Sequence, residues 1–257
     1  ELEPGDAVIF NLPYPAGPGH LNDMSLIAPI YHRGEIIAIA ANQAHHVDMG
    51  GYAPGSMPFG VTEIYQEGLQ IPPVRMFRRG KLDRDLWAVM KQNVRTAFEV
   101  RGDLEAQYAG NAVGTMELSK LADKYGVETV QTYLQEMLNY SERRMRAALS
   151  TIPRGTYEFE DVMEGDGIDD ELHTIRVSIE AGGDSIRLDF SGTDDAVRGP
   201  LNCRMPSVAS CVYYVLKAVL DPDLPANAGA YRPIEIVTRE GSILSATYPQ
   251  AVCNANI

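Results

Sequence analysis

The stretch that most constrains this chain is residues 25–41. Two apolar, β-prone runs, Ser25–His32 and Glu35–Ala41, are separated by a short turn centred on Arg33-Gly34. That spacing predicts an antiparallel hairpin, with His32-Arg33-Gly34-Glu35 as its tight turn. The hairpin sets the geometry of what flanks it. His20 and Asp23 precede its first strand, and His45, His46 and Asp48 follow its second. Two H-x-x-D pairs, separate in sequence, are therefore expected at the same open end of one hairpin. Gly50-Gly51 lets the chain turn away just beyond, because glycine accepts φ > 0. A rigid strand that opens into a loop is a common setting for a catalytic or metal site. A neutral imidazole and a carboxylate three residues apart can bind one divalent ion. The alternative for the same residues is capping or core histidines with a turn aspartate.

The rest of the chain reads as further β segments around a helical middle. Asp6–Phe10 is a strand candidate, followed by the long Pro- and Gly-rich loop Asn11–Asp23; long loops inside compact domains tend to be functional. In residues 52–76, Glu63, Glu67 and Gln70 are polar side chains in an apolar passage. They could complete a site or edge a solvated loop. From 82 to 150 the apolar period is helical. Trp87, Met90, Val94, Ala97 and Phe98 mark a first helix that ends at Gly102. Asp103 would cap a second helix over 104–124, and a third follows Gly126. Residues 156–165, 173–181 and 184–193 switch to period two, with Ala181–Asp184 as a hairpin turn. The acidic residues Asp161–Glu171 between the first two read as a solvated tip, and His173 as a strand end without an obvious partner. The loop 191–204 offers Arg198 and Asn202 as binders of a substrate carboxylate or carbonyl, since arginine presents a bidentate fork. Arg232 stands in a later glycine-containing loop. Pro206–Leu220 is a helix apolar on nearly every face, which implies burial, and residues 241–252 are the last strand candidate. The expected fold class is α+β, with mixed, mainly antiparallel sheets and a helical hairpin or three-helix insert. Its segments are 1–76 (β-rich, carrying the metal site), 77–152 (helical) and 153–257 (α+β).

Composition narrows the function classes. The net charge of −13 argues against nucleic-acid or anionic-membrane partners. No apolar run approaches the roughly 20 residues of a membrane helix, and no signal-peptide pattern opens the chain. Three cysteines at no metal-like spacing read as reduced thiols of a cytoplasmic protein. There is no Walker A pattern, no G-x-G-x-x-G after a strand and no G-x-S-x-G elbow, so no nucleotide site of its own is expected. The abrupt ends suggest a processed, split or partial chain.

Seven segments taken together carry a resemblance: PGDAVIFNLPYPAGPGHLND, AANQAHHVDMGG, PGSMP, EIYQEGLQIPPV, NVRTAFEVRGDLEAQ, FSGTDDAVRGPLN and NAGAYRPI. In this order, over nearly the whole chain, they resemble the hydantoinase B/oxoprolinase family. The resemblance implies one part of a hetero-oligomer whose partner is a hydantoinase A-type subunit with an actin-like ATPase fold. That partner binds ATP and phosphorylates a small-molecule substrate. The B-type subunit then acts on the activated species at a divalent metal (Zn, Mn or Mg), where metal-bound water attacks in the hydrolases. The H-x-x-D pair of the family maps onto His45 and Asp48 as metal ligands. Gln70, a weaker neutral ligand, stands where some members have histidine, while His46, His20 and Asp23 would complete or orient the site. The expected activity is ATP-dependent hydrolysis of a cyclic amide of the hydantoin or 5-oxoproline type. The same residues would serve a biotin-independent ketone carboxylase of the acetone or acetophenone type. A non-catalytic scaffold subunit is the third reading.

Overall fold

The computed structural model describes residues 2–15 and 17–255 and is an α+β structure, as the sequence patterns require. The chain divides into two compact units, Glu1–Gln131 and Thr132–Ile257. The helical middle does not stand apart as a segment of its own, because its first two helices share a core with the strands before them.

In the first unit a five-stranded antiparallel sheet runs in the order β3-β2-β1-β4-β5. Its strands are β1 (Ala7–Phe10), β2 (Asp23–His32), β3 (Glu35–His45), β4 (Val74–Arg78) and β5 (Lys81–Leu82). The hairpin forms as expected, with Arg33 at φ 51° and Gly34 at φ 93°, the paired positive angles of a tight two-residue turn. Its ladder is longer than the apolar runs suggest and extends to the pair Asp23–His45. Helices α1 (Arg84–Asn93) and α2 (Ala97–Tyr125) follow. Met90, Val94, Val100 and Leu104 join Ile9, Met24, Leu26 and Met76 in one buried cluster. Burying such side chains contributes about 1.5–3 kcal/mol each.

Two helical details differ from expectation. The break falls at residues 94–96 and not at Gly102, which lies inside α2. Its cause is tertiary: the Arg95 N–H turns away from the helix to donate to Asp48 Oδ1 at 3.0 Å. The interruption shifts the helical register, so Phe98 points outward, 88% exposed, instead of continuing the apolar stripe. Gly126, at φ 84°, ends α2 as anticipated, and α3 (Val127–Leu149) begins immediately after it.

The second unit carries the sheet β6-β7-β8-β9, formed by Gly155–Glu164, Leu172–Ala181, Ile186–Asp189 and Ile234–Val237. The first three pair antiparallel and the last pair is parallel. Met145, Leu149, Ile186, Leu188, Val212 and Leu216 form its core, together with α4 (Met205–Leu220) and the short α5 (Ala228–Tyr231). Helix α4 is not buried all round: Tyr214, Val215 and Val219 are exposed. The acidic tip is not wholly solvated either, because the buried Asp166 accepts the N–H groups of Ile168, Asp169 and Gly199. Residues 241–252 form no regular strand. A 3-10 turn at Ile243–Ser245 exchanges backbone hydrogen bonds with Asp194 and Cys203 instead. No helix among the described residues is long and apolar enough to cross a membrane.

Candidate metal centre

Asn11, just after β1, is fully buried. Its amide donates to the carbonyls of Leu21 and Leu69, and its Oδ1 accepts the Ile71 N–H. That fixes the end of the Pro/Gly loop beside the sheet. The chain then turns, with the Asp23 N–H donating to the His20 carbonyl at 3.2 Å, and enters β2. Asp23 is the first residue of β2 and His45 the last of β3, and the two are direct cross-strand partners. The turn brings His20 onto the same carboxylate. His20 Nδ1 lies 2.9 Å from Asp23 Oδ2 and His45 Nδ1 lies 3.4 Å from Oδ1. The two imidazole centroids are 4.9 Å apart.

These three residues fit a divalent ion. Their ligating atoms all lie within 4.8 Å of one another. An ion about 2.0–2.2 Å from each donor would hold neighbouring donors about 3–3.5 Å apart, and the two observed separations are close to that range. Two imidazoles and one carboxylate suit first-row divalent metals. A set of three protein ligands leaves positions for water or substrate, as in catalytic sites and unlike closed structural ones. The set is also graded in exposure: His20 is 3% exposed, Asp23 19% and His45 53%. One side is thus sealed and the other open.

Asp48 does not join this cluster. Its carboxylate is buried and fully engaged: Oδ1 accepts the N–H groups of Gly50 and Arg95, and Oδ2 accepts the Gly55 N–H and the Arg95 guanidinium. Burial by itself would raise its pKa, but these donors outweigh it and hold the carboxyl below its usual 3.8. Arg95 also donates to the carbonyls of Gly50, Gly51 and Ala53. Asp48 and Arg95 together form the clamp that shapes the loop after β3. The H-x-x-D pair whose ligating atoms converge is therefore His20/Asp23, joined by His45, while the Asp48 carboxylate, expected as a metal ligand, is spent on the loop and on Arg95.

His46, one residue beyond His45, points the other way and is fully buried. Its Nε2 lies 2.9 Å from Gln107 Oε1. The Gln107 amide nitrogen donates to the Met24 carbonyl and to Asn42 Oδ1, which fixes its orientation. Nε2 of His46 therefore carries the hydrogen, and its Nδ1 has no partner among the described residues. Burial pushes the imidazole pKa down from 6.5, partly offset by the Gln107 bond. His46, expected to take a catalytic part, is a buried histidine that fastens α2 to the sheet through Gln107 and does not reach the His20–Asp23–His45 cluster. Gln70 is half-buried between Leu69 and Ile71, the two residues whose backbones Asn11 brackets.

The three expected substrate binders lie in the second unit. Arg198 is exposed. Arg232 pairs with Glu142 at 2.9 Å and donates to Asn139. Asn202 is fully buried and spends its amide within its own loop, on the Val197 N–H and on the carbonyls of Val197, Gly199 and Ala251. Both amide hydrogens and one lone pair of Oδ1 are thus engaged within the protein, which makes Asn202 a clamp of its own loop.

Sequence reasoning missed Asn22, Arg95, Gln107 and Asn111, the last of which donates to the Leu26 carbonyl and accepts from the Asn42 amide. The last two had a legible signal. Val100, Leu104, Gln107 and Asn111 follow the i, i+4, i+7, i+11 spacing of one buried helix face, which marks the two amides as core-facing.

Comparison with known proteins agrees with this architecture. The hydantoinase B/oxoprolinase family model matches residues 1–257. An uncharacterised protein of Methanocaldococcus jannaschii is 39% identical over 100% of this chain and 45% of its own length. The caprolactamase subunit beta of Pseudomonas jessenii is 30% identical over 97% of this chain and 43% of its own. The chain thus spans less than half the length of these relatives. The crystal structure of the ATP-dependent caprolactamase from Pseudomonas jessenii superimposes with a TM-score of 0.90 at 30% identity, covering 99% of this chain and 44% of that one. A nucleotide-free acetone carboxylase structure gives the same TM-score at 19% identity, covering 98% and 35% respectively, a likeness of fold.

Proposed function

The chain belongs to the hydantoinase B/oxoprolinase family, and on that premise we propose that it supplies the metal site of the B-type subunit of an ATP-dependent cyclic amide hydrolase. The observation that carries this reading is the meeting of His20, Asp23 and His45 at the open end of one hairpin. A divalent ion bound there would lower the pKa of a coordinated water toward neutrality and polarise a carbonyl-derived oxygen.

The chain's own groups do the positioning. Asp23 orients both imidazoles through its two oxygens. Buried His20 seals the inner side. Half-exposed His45 faces the side from which a substrate arrives. Gln70, held near Leu21 by Asn11, is the neutral side chain best placed in sequence to add a further polar contact.

The family resemblance assigns ATP to an A-type partner subunit with an actin-like ATPase fold. That partner would activate the amide oxygen by phosphorylation, and an ion held by His20, Asp23 and His45 would supply the water activation for ring opening. The name of the caprolactamase relative, a subunit beta, supports a hetero-oligomer. A cytoplasmic location fits ATP-dependent chemistry and reduced cysteines.

The test is an assay of the complex with its A-type partner on 5-oxoproline, a hydantoin and caprolactam, with and without bicarbonate. The expected result is ATP-dependent ring opening without bicarbonate that is lost in His45→Ala. ATP turnover that requires bicarbonate and a ketone would replace this reading with a ketone carboxylase. Unchanged ring opening in His45→Ala would place the chemistry elsewhere and leave this chain a scaffold.

A further inference from the structure

We propose that Asn22 and Asp48 are the positioning residues of the His20–Asp23–His45 cluster, and that they act together through Gly55. The proposal rests on the metal reading above and goes beyond the ligands themselves. Asn22 lies between the two ligand-bearing residues of the turn and is fully buried. Its carbonyl accepts the His46 N–H at 2.8 Å, and its side-chain amide donates to the His46 carbonyl at 2.9 Å. These bonds extend the β2–β3 pairing one step past the rung that joins Asp23 to His45. The turn and the strand end therefore cannot slide relative to each other without breaking them.

The second hydrogen of the Asn22 amide goes to the Gly55 carbonyl at 2.9 Å. The N–H of that same glycine donates to Asp48 Oδ2, also at 2.9 Å. Gly55 sits at φ 79°, a conformation other residues rarely adopt. Asp48, fixed by Arg95, sets the position of Gly55, and Gly55 sets the amide of Asn22. A carboxylate outside the donor set is thereby coupled to it through one residue. Outer partners that orient ligands typically change metal affinity 10- to 100-fold when removed.

The experiment measures Zn²⁺ affinity by chelator competition, and the visible spectrum of the Co²⁺ form, in the purified complex. The variants are Asn22→Ala, Asn22→Ser, Asp48→Asn, Asn22→Ala with Asp48→Asn, and His45→Ala. The proposal expects each single positioning variant to retain one ion per chain, bind it about 10- to 100-fold more weakly and alter the Co²⁺ spectrum. Asn22→Ser, which keeps one donor, should fall between wild type and Asn22→Ala and serves if the alanine variant does not fold. The double variant should lose less than the product of the two single losses, because both act along one path. Wild-type affinity and spectrum in a folded Asn22 variant, or fully multiplicative losses, would overturn the proposal. His45→Ala separates the two levels. Loss of the ion there with no effect at Asn22 refutes positioning alone, and retention of the ion there removes the metal reading and this proposal with it.

Discussion

Asp23 faces His45 across the last rung of the β2–β3 ladder, with Oδ1 3.4 Å from Nδ1. Antiparallel pairing puts opposed side chains on one face with their Cβ atoms about 4.5–5.5 Å apart. A single register thus makes two residues 22 positions apart into neighbours, and the His20–Asp23 turn adds the third member. A slip of one residue would send His45 to the opposite face. The site is therefore as firmly specified as the hairpin that carries it.

The Asp48–Arg95 clamp predicts a pH-dependent contribution to stability. The Asp48 carboxyl is held below its ordinary 3.8 in the folded chain, so the unfolded chain binds the proton more readily. The contribution is full above about pH 3.8 and is lost as the pH falls through the folded value. Asp48→Asn should cost about 1–3 kcal/mol at neutral pH, with a gap from wild type that narrows in acid. Urea unfolding across a pH series checks this; a gap constant from pH 7 to pH 3 would refute it.

Gln107→Ala should destabilise the chain by about 1–3 kcal/mol. It strips partners from the Met24 carbonyl, Asn42 Oδ1 and His46 Nε2, all at the seam between α2 and the sheet. The ion count per chain should stay as in wild type, since none of these atoms is a ligand. Thermal melts paired with metal analysis make the measurement, and a melting temperature equal to wild type would contradict the assignment.

Asn202→Ala separates a loop clamp from a substrate contact. Removing the amide leaves the Val197 N–H and three carbonyls without their partner. Stability should drop by about 1–3 kcal/mol while KM in the ring-opening assay stays unchanged. A raised KM at wild-type stability would restore Asn202 as a substrate binder.

Much of the first unit was legible because it rests on local rules. The Arg33-Gly34 turn and the period-two runs specify the hairpin, and the hairpin places His20, Asp23 and His45 at one end. What was not legible was which H-x-x-D pair gathers. Spacing treats His20/Asp23 and His45/Asp48 alike, and the difference arises from Arg95, 47 residues beyond Asp48, which draws that carboxylate into a clamp. The same long-range bond moves the helix break to residues 94–96, which no propensity marks. His46 and Asn202 looked functional because polar residues in loops often are. Their partners, Gln107 and the Val197–Gly199 turn, emerge only once the chain is folded. In the second unit, residues 241–252 carry strand composition, yet their backbone groups pair with the 194–203 loop instead of a neighbouring strand.

The central claim is that His20, Asp23 and His45 bind one divalent ion and that Asp48 does not. Metal analysis of the purified complex equilibrated with saturating Zn²⁺ or Mn²⁺ tests it directly, comparing wild type with His20→Ala, His45→Ala and Asp48→Asn. The account predicts one ion per chain in wild type and in Asp48→Asn, and none in either histidine variant. Full occupancy in His20→Ala together with loss in Asp48→Asn would contradict it.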